Sequence, residues 1–567
     1  MKTKQGCAPA PRALKNTLLP LAMLALSQGL LAQQLPGAGS QIQQLPPVPV
    51  PQKAAPEIRI QEGPAAPGKS APSTEKILVK SLQVTGSRVF SEAELLGLTG
   101  FVSPSELTLG ELQAMAARIT DHYRKNGYFV ARAYLPAQSI KDNAVTIAVS
   151  EGQYGKIVLN NQTDLSDALV LNILGGVNSG DPITNDTLEN RLLLLSDIPG
   201  VKVKSTLVPG ETPGSSDLIV DITPGQRISG SVDVDNAGNR YTGEYRLGGT
   251  VNINNLLGQG DVASLRAVTS GSGLNYGRAS YQMQFGKATA GVAYSRLAYE
   301  LGKEFAPLQA NGTAEVASIY GSYPLIRSRG TNLNAGLSYD HRTFQDRIDV
   351  IPSVVDKKAN VLTGSLYGNH QDSLGGGGVS AFSLGLSAGN LDIETPSALA
   401  ADAASARTNG SYGKLAFSLS RLQRVTDTLS LFAGINGQLA SKNLDASEKM
   451  VLGGMDGVRA YPQGEAFGDQ GYLVNIEARL LLPKPERLPG QIHLIGFIDS
   501  GSVTINKSPW AAGNNHRNLG AYGLGLTWGE PGNFAIRTYY ARKLGNEPAN
   551  SAPDKSGRFW IQAIKYF

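Results

Sequence analysis

The segment Glu244-Tyr245-Arg246-Leu247-Gly248-Gly249-Thr250-Val251-Asn252-Ile253 alternates between polar and largely apolar side chains along its whole length. Successive side chains of a β-strand point to opposite faces, so this period of two predicts a strand with one apolar and one wet face. Residues 278–285 and 472–480 repeat the pattern. Strands of this kind are what a membrane β-barrel needs, with lipid on its outside and water in its lumen.

Sixteen such runs can be counted between residues 227 and 567. An even number of strands is typical of a closed bacterial barrel, so the predicted fold of this region is a 16-stranded antiparallel transmembrane β-barrel. A soluble β-sandwich also alternates, but the polar face here carries charges and amides, as a lumen does. The runs begin near residues 228, 244, 261, 276, 289, 314, 331, 361, 378, 412, 428, 471, 491, 521, 533 and 558.

The C-terminus supports the barrel. The chain ends on Phe567, and further aromatic and apolar residues precede it between Phe559 and Tyr566. A C-terminal aromatic residue on the last strand resembles the sorting signal of outer-membrane barrels. Lys565 departs from this pattern because the alternation places it on the lipid-facing side of the strand. Its aliphatic stem can reach along the membrane interface from there.

Residues 1–32 are predicted to be a secretory signal peptide. Four basic residues precede an apolar stretch of 14 residues, Leu18 to Leu31, and Ala32 offers a small residue for cleavage. A membrane anchor is disfavoured because this stretch is short and Pro20 interrupts it. Cleavage would lower the net charge from +5 to about +1 (5 − 4) and remove Cys7, the single cysteine. The near-neutral mature chain gives no sign of a nucleic-acid partner.

Residues 33–75 are predicted to form an extended tether. Nine prolines lie between Pro36 and Pro72, and proline fixes φ and lacks an amide donor. The polar segment Gln33 to Leu45 precedes the densest part of this stretch, and its sequence pattern does not define a secondary structure.

Residues 76–152 and 153–226 are predicted to be two copies of a small α/β module, each built of a strand, a helix and two closing strands. The glycine pairs Gly127/Gly152 and Gly200/Gly225 are each 25 residues apart and offset by 73, which indicates a tandem repeat. Chance is the alternative in a glycine-rich chain, but the matching order of elements argues against it. The helix of the first copy has apolar residues on one face at Leu109, Leu112, Met115, Ala116, Ile119 and Tyr123.

The most specific residues lie between the eleventh and twelfth strands. If the modules and the C-terminus are periplasmic, residues 439–470 form the sixth extracellular loop. Arg459 supplies this loop with a strong, forked hydrogen-bond donor, and glycines allow sharp bends. On the thirteenth strand, alternation with outward apolar residues turns His493, Phe497 and Asp499 toward the lumen. The loop carries Gly453-Gly454-Met455-Asp456-Gly457-Val458-Arg459-Ala460-Tyr461-Pro462-Gln463-Gly464-Glu465-Ala466-Phe467-Gly468-Asp469.

At these two segments the chain resembles the outer-membrane transporters of two-partner (type V) secretion, the exporters of haemolysin and filamentous haemagglutinin, within the Omp85 superfamily. That family has a signal, a tether, two POTRA modules and a sixteen-stranded barrel. Its sixth loop carries Val-Arg-Gly-Tyr/Phe, and a lumen strand carries Phe-x-Asp-x-Gly. The corresponding residues are Val458-Arg459-Ala460-Tyr461, where Ala460 replaces Gly, and Phe497-Ile498-Asp499-Ser500-Gly501. Residues 235–243, at the barrel opening, are also similar, and the resemblance covers roughly residues 76–567.

The resemblance implies that loop six folds back into the pore and that Arg459 pairs with Asp499. The same loop motif includes Gly464, Glu465, Gly468 and Asp469. A bidentate Arg–carboxylate pair shielded from water can hold a loop in one place. The alternative is a surface arginine with no fixed partner.

The resemblance further implies an exporter of one large partner exoprotein, such as an adhesin or haemolysin, that works without ATP. The partner would dock on the POTRA modules by β-augmentation, unless these are mere spacers. Gln33 to Leu45 would correspond to the pore-plugging helix of relatives. Outer-membrane lipid and the barrel assembly machinery are further expected partners of a monomeric barrel.

Other classes of protein fit less well. An insertase that assembles other barrels is the first alternative, but two modules rather than three or five argue against it. A diffusion porin would not need periplasmic modules. An enzyme is not expected, and no cofactor is. Gly385-Leu386-Ser387-Ala388-Gly389 matches the hydrolase elbow but lies within a strand run. The five histidines lack metal-ligand spacing, and there is no phosphate-binding loop.

Overall fold

The computed structural model describes residues 35–49, 57–60 and 75–567. The predicted signal peptide lies outside these residues. The predicted tether is described in two pieces, a short helix α1 (Ala38–Ile42) and a strand β1 (Glu57–Ile60). A helix in the Gln33 to Leu45 segment was not evident from the sequence pattern, because five residues are too few to show a helical period.

The first module packs one long helix against a three-stranded sheet in the order β3-β6-β5. Thr108 and Glu111 form a reciprocal capping box at the start of that helix, α3. All six residues predicted for its apolar face lie on α3, and five of them are buried. The bounds are β2 (Lys76–Val79), β3 (Ser81–Thr85), α2 (Glu92–Thr99), β4 (Ser105–Thr108), α3 (Leu109–Lys125), β5 (Arg132–Tyr134) and β6 (Ala144–Ser150).

Two features of this module differ from the sequence prediction. The opening strand divides at Lys80, because β2 pairs with β4 whereas β3 pairs with β6. Helix α2 was not predicted, since only Leu95 and Thr99 of its eight residues are buried and its apolar residues do not form one face.

The second module repeats the plan, with strands β8 and β9 closing it as predicted. Its helices pack on one face of a sheet whose order is β1-β8-β9-β7, so the tether strand β1 is the edge strand. Helix α4 is again additional to the prediction. The bounds are β7 (Gln153–Asn161), α4 (Asp167–Leu174), α5 (Asn185–Ser196), β8 (Val201–Pro209) and β9 (Ser215–Pro224).

The remaining chain forms a closed barrel of sixteen antiparallel strands, which confirms the predicted architecture. The largest difference in a strand start is at β17, which begins at Ser353 rather than near residue 361. The barrel strands are β10 (Ile228–Asp235), β11 (Arg246–Asn254), β12 (Val262–Thr269), β13 (Leu274–Phe285), β14 (Ala288–Glu300), β15 (Ala310–Arg327), β16 (Thr331–Ile348), β17 (Ser353–Asp372), β18 (Gly378–Ile393), β19 (Gly410–Arg424), β20 (Leu429–Ala440), β23 (Gln470–Leu481), β24 (Gln491–Thr504), β25 (His516–Glu530), β26 (Phe534–Lys543) and β27 (Gly557–Tyr566).

Shorter elements lie in the connections of the barrel. The sixth loop contains a small hairpin, β21 (Met450–Val451) and β22 (Phe467–Gly468), and the fifth contains helix α6 (Pro396–Ala403). Two short 3₁₀ helices span Lys303–Leu308 and Leu374–Gly376. The segment Gly385 to Gly389 lies within β18, as expected for a strand.

The barrel closes where β27 pairs with β10 over five register positions, from Ser231↔Tyr566 to Asp235↔Gln562. Phe567 extends this ladder, because its backbone exchanges two hydrogen bonds with Gly230, at 2.9 and 3.1 Å. Lys565 points outward, and its ammonium group donates to the side-chain oxygen of Asn533 in a turn. The stem of Lys565 therefore runs along the barrel to a polar partner.

The outer face of the barrel is apolar, whereas its interior holds buried charged residues such as Asp233, Arg266 and Glu477 beside apolar clusters. Leu265, Ile319, Leu386 and Leu524 are each more than 60% exposed on the outside, which suits a lipid environment. No helix in the part of the chain that the structure describes is long and apolar enough to cross a membrane.

The second module sits against the turns at one end of the barrel. Asp197 accepts two hydrogen bonds from Arg327, at 2.7 and 2.8 Å, and Glu189 accepts from the backbone N–H of Arg329. The backbone N–H of Ser166 donates to the carbonyl of Gly258 in another turn. These contacts define the module side of the barrel, and loop six joins β20 to β23 at the opposite end.

Candidate functional site

Loop six, residues 441–469, folds into the barrel lumen instead of extending away from it. Near the base of the loop, β21 and β22 pair with each other and bring its two arms together. Its tip is fully enclosed, because Val458, Ala460 and Tyr461 have no measurable solvent exposure. A loop of this length is buried only where its polar groups find partners, and the contacts of the loop supply them.

Arg459 is clamped by a carboxylate on the neighbouring wall. Its Nε and Nη2 donate to the two oxygens of Asp499 on β24, at 2.9 and 2.6 Å, and its backbone N–H donates to the same carboxylate at 3.1 Å. The guanidinium carbon lies 3.5 Å from the ring centroid of Phe497, a cation–π arrangement. The structure therefore brings together the two motif segments that the sequence singled out.

A second carboxylate completes the site, and sequence reasoning did not assign it a role. Glu477 on β23 accepts from Arg459 Nη1 at 2.8 Å and from Arg479 Nε at 2.9 Å. Asn475, on the same strand, donates to Asp499 at 2.8 Å. Both lie on the polar side of the alternating run at residues 472–480, but only the register of β23 against β24 places them opposite Asp499 and Phe497. Two carboxylates and two guanidinium groups make the cluster neutral overall, which lowers the cost of its burial.

Ala460, which stands where the resembled family has glycine, fits the turn. Ala460 does not have a positive φ, whereas Ala466, later in the same loop, does. The carbonyl of the preceding residue, Arg459, accepts a 2.6 Å hydrogen bond from the indole N–H of Trp560 on β27. The turn therefore needs no left-handed residue at Ala460, and the methyl group is accommodated in the closed core of the loop.

The far side of the loop tip contacts the eighth extracellular loop, residues 544–556. The hydroxyl of Tyr461 donates to the carbonyl of Glu547 at 2.9 Å. Glu465 is buried and accepts from the backbone N–H groups of Asn550 and Ser551 at 3.0 and 2.8 Å, from the Ser551 hydroxyl, and from Arg517 on β25. Loop six is thus fixed to a loop as well as to the wall.

Two glycines of the motifs allow close approaches. A Cβ on Gly501 of β24 would lie 2.9 Å from a side-chain carbon of Leu452, so glycine lets the base of loop six pack on the strand. Gly464 has a φ of +80°, and a Cβ there would lie 2.8 Å from side-chain atoms of Asn239 and Gln44. A larger residue is therefore strained at Gly464 because of its left-handed φ, and at Gly501 it would require Leu452 to shift.

The base of loop six is held by further buried charges. Asp469 accepts from the backbone N–H groups of Leu444 and Lys507, at 3.0 and 2.8 Å, and pairs with Lys449 at 2.9 Å. Gly468, beside it, belongs to the β22 half of the hairpin. Glu448 pairs with Arg342 on β16 at 2.6 Å and with Lys414 on β19, so the loop spans the lumen from one wall to the other.

The tether helix α1 lies beside loop six in the lumen. Its first residue, Ala38, donates its backbone N–H to Asp346 on β16 at 2.7 Å, and Gln41 accepts from Thr242 at 2.9 Å. The side chain of Gln43 donates to the carbonyl of Ser447 in loop six. Helix and loop therefore occupy the lumen together and touch each other. His493, the remaining predicted lumen residue, is partly buried on β24, on the module side of this cluster.

Both the sequence and the fold of this chain are similar to those of known proteins. The family described as haemolysin secretion/activation protein ShlB/FhaC/HecB matches residues 214–528, and the ShlB-type POTRA domain matches residues 77–152. The heme/hemopexin transporter protein HuxB of Haemophilus influenzae (strain 86-028NP) is 33% identical over 471 residues, 82% of each chain. The outer membrane transporter CdiB of Dickeya dadantii is 26% identical over 417 residues, 70% of this chain and 71% of that one.

Among solved structures, CdiB from Escherichia coli has a similar fold, with a TM-score of 0.67 and 20% identity over 98% of this chain and all of that chain. BamA from Haemophilus ducreyi has a TM-score of 0.53 at 13% identity, over 86% of this chain. At these identities the likeness concerns the fold.

Proposed function

This chain belongs to the ShlB/FhaC/HecB family of haemolysin secretion/activation proteins, and we propose how it recognises its cargo and keeps its pore closed. It is an outer-membrane transporter of two-partner secretion that exports a partner exoprotein, with its barrel in the outer membrane and its POTRA modules in the periplasm. The proposal is that the POTRA modules receive the unfolded partner and that loop six and α1 together form a movable plug.

The plug proposal is carried by the lumen contacts of loop six. Loop six packs apolar residues such as Val458 and Tyr461 against the wall, and it is also held by buried ion pairs and hydrogen bonds centred on Arg459. Such contacts hold a single geometry when complete, and water can replace them when the loop moves. Movement of loop six and α1 would clear a path for an extended chain. Folding of the partner outside the cell would then draw it through without ATP.

Further proposals concern catalysis, the oligomeric state and the targeting of the chain. We propose that the protein has no catalytic step and no cofactor, and works as a monomeric barrel in contact with outer-membrane lipid. Phe567, at the end of the closing strand, is proposed as the signal read by the barrel assembly machinery. The removal of residues 1–32 as a signal peptide is proposed on their composition.

The experiment that tests export is a paired proteome of cells with and without this chain, covering culture medium, cell surface and outer membrane. The expected result is the loss of one very large protein from the surface or medium, with other outer-membrane barrels unchanged. A general fall of outer-membrane barrels, with no exoprotein lost, would instead support an insertase. Complementation by Arg459→Ala, compared with the wild-type chain, tests whether the plug contact matters for export.

A further inference from the structure

The joint between the second POTRA module and the barrel brings two cations close to each other. Arg191 lies on helix α5 of the module, and Lys287 lies in the turn between β13 and β14 of the barrel. Burial and, next, the positive charge of Arg191 lower the pKa of Lys287. Among the residues that the structure describes, neither cation has a carboxylate partner. The joint therefore contains a corner of uncompensated positive charge.

The guanidinium group of Arg191 is held close to the C-terminal end of helix α4. A Cβ on Gly176 would lie 2.9 Å from Arg191 Nη2, and Gly176 has a φ of +95°, so the chain turns tightly beside this group. Nε and Nη1 of Arg191 are buried and donate to no acceptor in the described part of the chain. Unpaired donors on a buried charged group are costly, so an anion that supplies acceptors here would be bound favourably.

The turn that carries Lys287 contacts the same end of α4. A Cβ on Gly286 would lie 2.6 Å from Oδ1 of Asn172, the residue three positions before the end of the helical turn at Gly175. Asn172 of the module thus abuts the barrel turn, and the end of α4 separates Lys287 from Arg191 by little more than this contact. One small anion can therefore interact with both cations.

A neighbouring contact of the same joint has the opposite electrostatic character. Asp197 of the module pairs with Arg327 of the next barrel turn at 2.7 Å. There, the module supplies a negative charge to a barrel cation. Arg191 and Lys287 instead place like charges on the two sides of the joint, and like charges repel. The contact is favourable when an anion lies between them.

This corner lies where the barrel wall meets the periplasmic face of the membrane. Phe285, two residues before Lys287, ends β13 on its lipid-facing side and is 58% exposed. On the module, Leu171 precedes Asn172 and is 53% exposed. Aromatic side chains are enriched at the level of the lipid headgroups, and cations at that level attract their phosphates. The anion that is most abundant at this position is therefore a lipid phosphate.

We propose that Arg191 and Lys287 bind the phosphate of one phospholipid from the periplasmic leaflet of the outer membrane. Arginine offers a fork of donors and lysine a compact charge, and both suit a phosphate. Phe285 and Leu171 lie beside the glycerol and the acyl chains. The bound lipid joins the second module to the barrel turn, so the seating of this module depends on the membrane. The proposal rests on the outer-membrane location of the barrel and is independent of the plug.

The test uses the full-length chain in nanodiscs of phosphatidylethanolamine and phosphatidylglycerol. The probe is a phosphatidylglycerol with a photoreactive group in its headgroup, and mass spectrometry of the digested chain locates the cross-links. In the wild type, cross-links should be found in residues 170–176 and 285–288. In Arg191→Gln/Lys287→Gln they should fall about tenfold or more, because two charge-assisted contacts are lost. Cross-links at the exposed Val425, in another module-side turn, should not change.

Two control variants separate the site from general charge and from folding. Arg124→Gln/Lys125→Gln removes the same two kinds of charge from exposed positions on α3 of the first module, and it should cross-link as the wild type does. Arg191→Lys/Lys287→Arg keeps both charges and should retain most of the cross-linking. Heat-modifiable gel mobility checks that each variant has a folded barrel.

Two outcomes would overturn the proposal. One is equal cross-linking of residues 170–176 and 285–288 in the wild type and in Arg191→Gln/Lys287→Gln, with both barrels folded. The other is loss of the wild-type cross-links when inorganic phosphate is added in excess, which would mean that the site takes free phosphate instead of a lipid. Neither outcome affects the proteome test of export, which does not depend on these residues.

Discussion

Substituting Arg459 with alanine should release loop six from the barrel wall while leaving the barrel closed. Arg459 is 3% exposed, and its partners Asp499 and Glu477 are 0% and 6% exposed. Its removal leaves two buried carboxylates with fewer donors. Breaking a buried pair in this way costs about 3–5 kcal/mol. At ~1.4 kcal/mol per factor of ten, the equilibrium between seated and released loop should shift by roughly a hundredfold to a few thousandfold.

The assay is the rate of maleimide labelling at Ala460→Cys, introduced into a Cys7→Ser background. Ala460 has no solvent exposure when the loop is seated, so the labelling rate reports the released fraction. The rate should rise about a hundredfold or more in Arg459→Ala, as estimated for loss of a buried pair. Arg459→Lys should give an intermediate rate, because lysine keeps the charge but loses the forked geometry.

A cysteine at the exposed position Asn514 in the seventh loop is the control and should label equally in all variants. Closure of the barrel does not depend on Arg459, because it rests on backbone pairing between strands, and heat-modifiable gel mobility should be unchanged. Equal labelling of Ala460→Cys with and without Arg459 would refute the idea that this cluster holds the loop.

Three further changes probe other contacts. Glu465→Gln removes a charged acceptor, a loss of about 1.5–3 kcal/mol, and hydrogen exchange of the Ser551 amide should accelerate while that of the barrel strands does not. Gly501→Ala places a methyl group against Leu452, and such overpacking costs ~1–3 kcal/mol; a thermal unfolding midpoint equal to that of the wild type would argue against close packing there. Burial, reinforced by a carboxylate hydrogen bond, raises the pKa of the Tyr123 phenol above its ordinary value. The stabilisation that the neutral Tyr123 phenol contributes is therefore full below about pH 10 and is lost as pH rises toward the folded-state pKa. Hydrogen-exchange protection of the first module should fall over this alkaline range, and the fall should be smaller in Tyr123→Phe.

The strand pattern was predictable because a membrane barrel leaves its signature in each strand separately. Alternation around residues 244–253 follows from lipid on one side and water on the other, and needs no knowledge of neighbours. The small helices α1, α2 and α4 were not predictable in this way. They have five or eight residues each, too few for a period to show, and tertiary packing decides their conformation.

Some residues of the candidate site could likewise be predicted from the sequence and others could not. Arg459 and Asp499 could be named from the sequence because they lie in two motifs of a resembled family. Glu477 could not, since it is one of several polar residues on an alternating strand. Its role depends on the register of β23 with β24, which brings Glu477 opposite Phe497 and Asn475 opposite Asp499. Register depends on two strands together, so the sequence of either strand alone does not determine it.

The sequence by itself determined the barrel, its sixteen strands, the order of modules and the loop that carries Arg459, because local alternation, repeats and motifs encode these features residue by residue. Only the tertiary structure decided that loop six is seated in the lumen, that Glu465 joins it to the eighth loop, and that the tether covers the edge of β8. Those contacts join residues far apart in the chain. A polar side chain or a strand edge has many compatible partners. The closure of the whole fold decides which of them it meets.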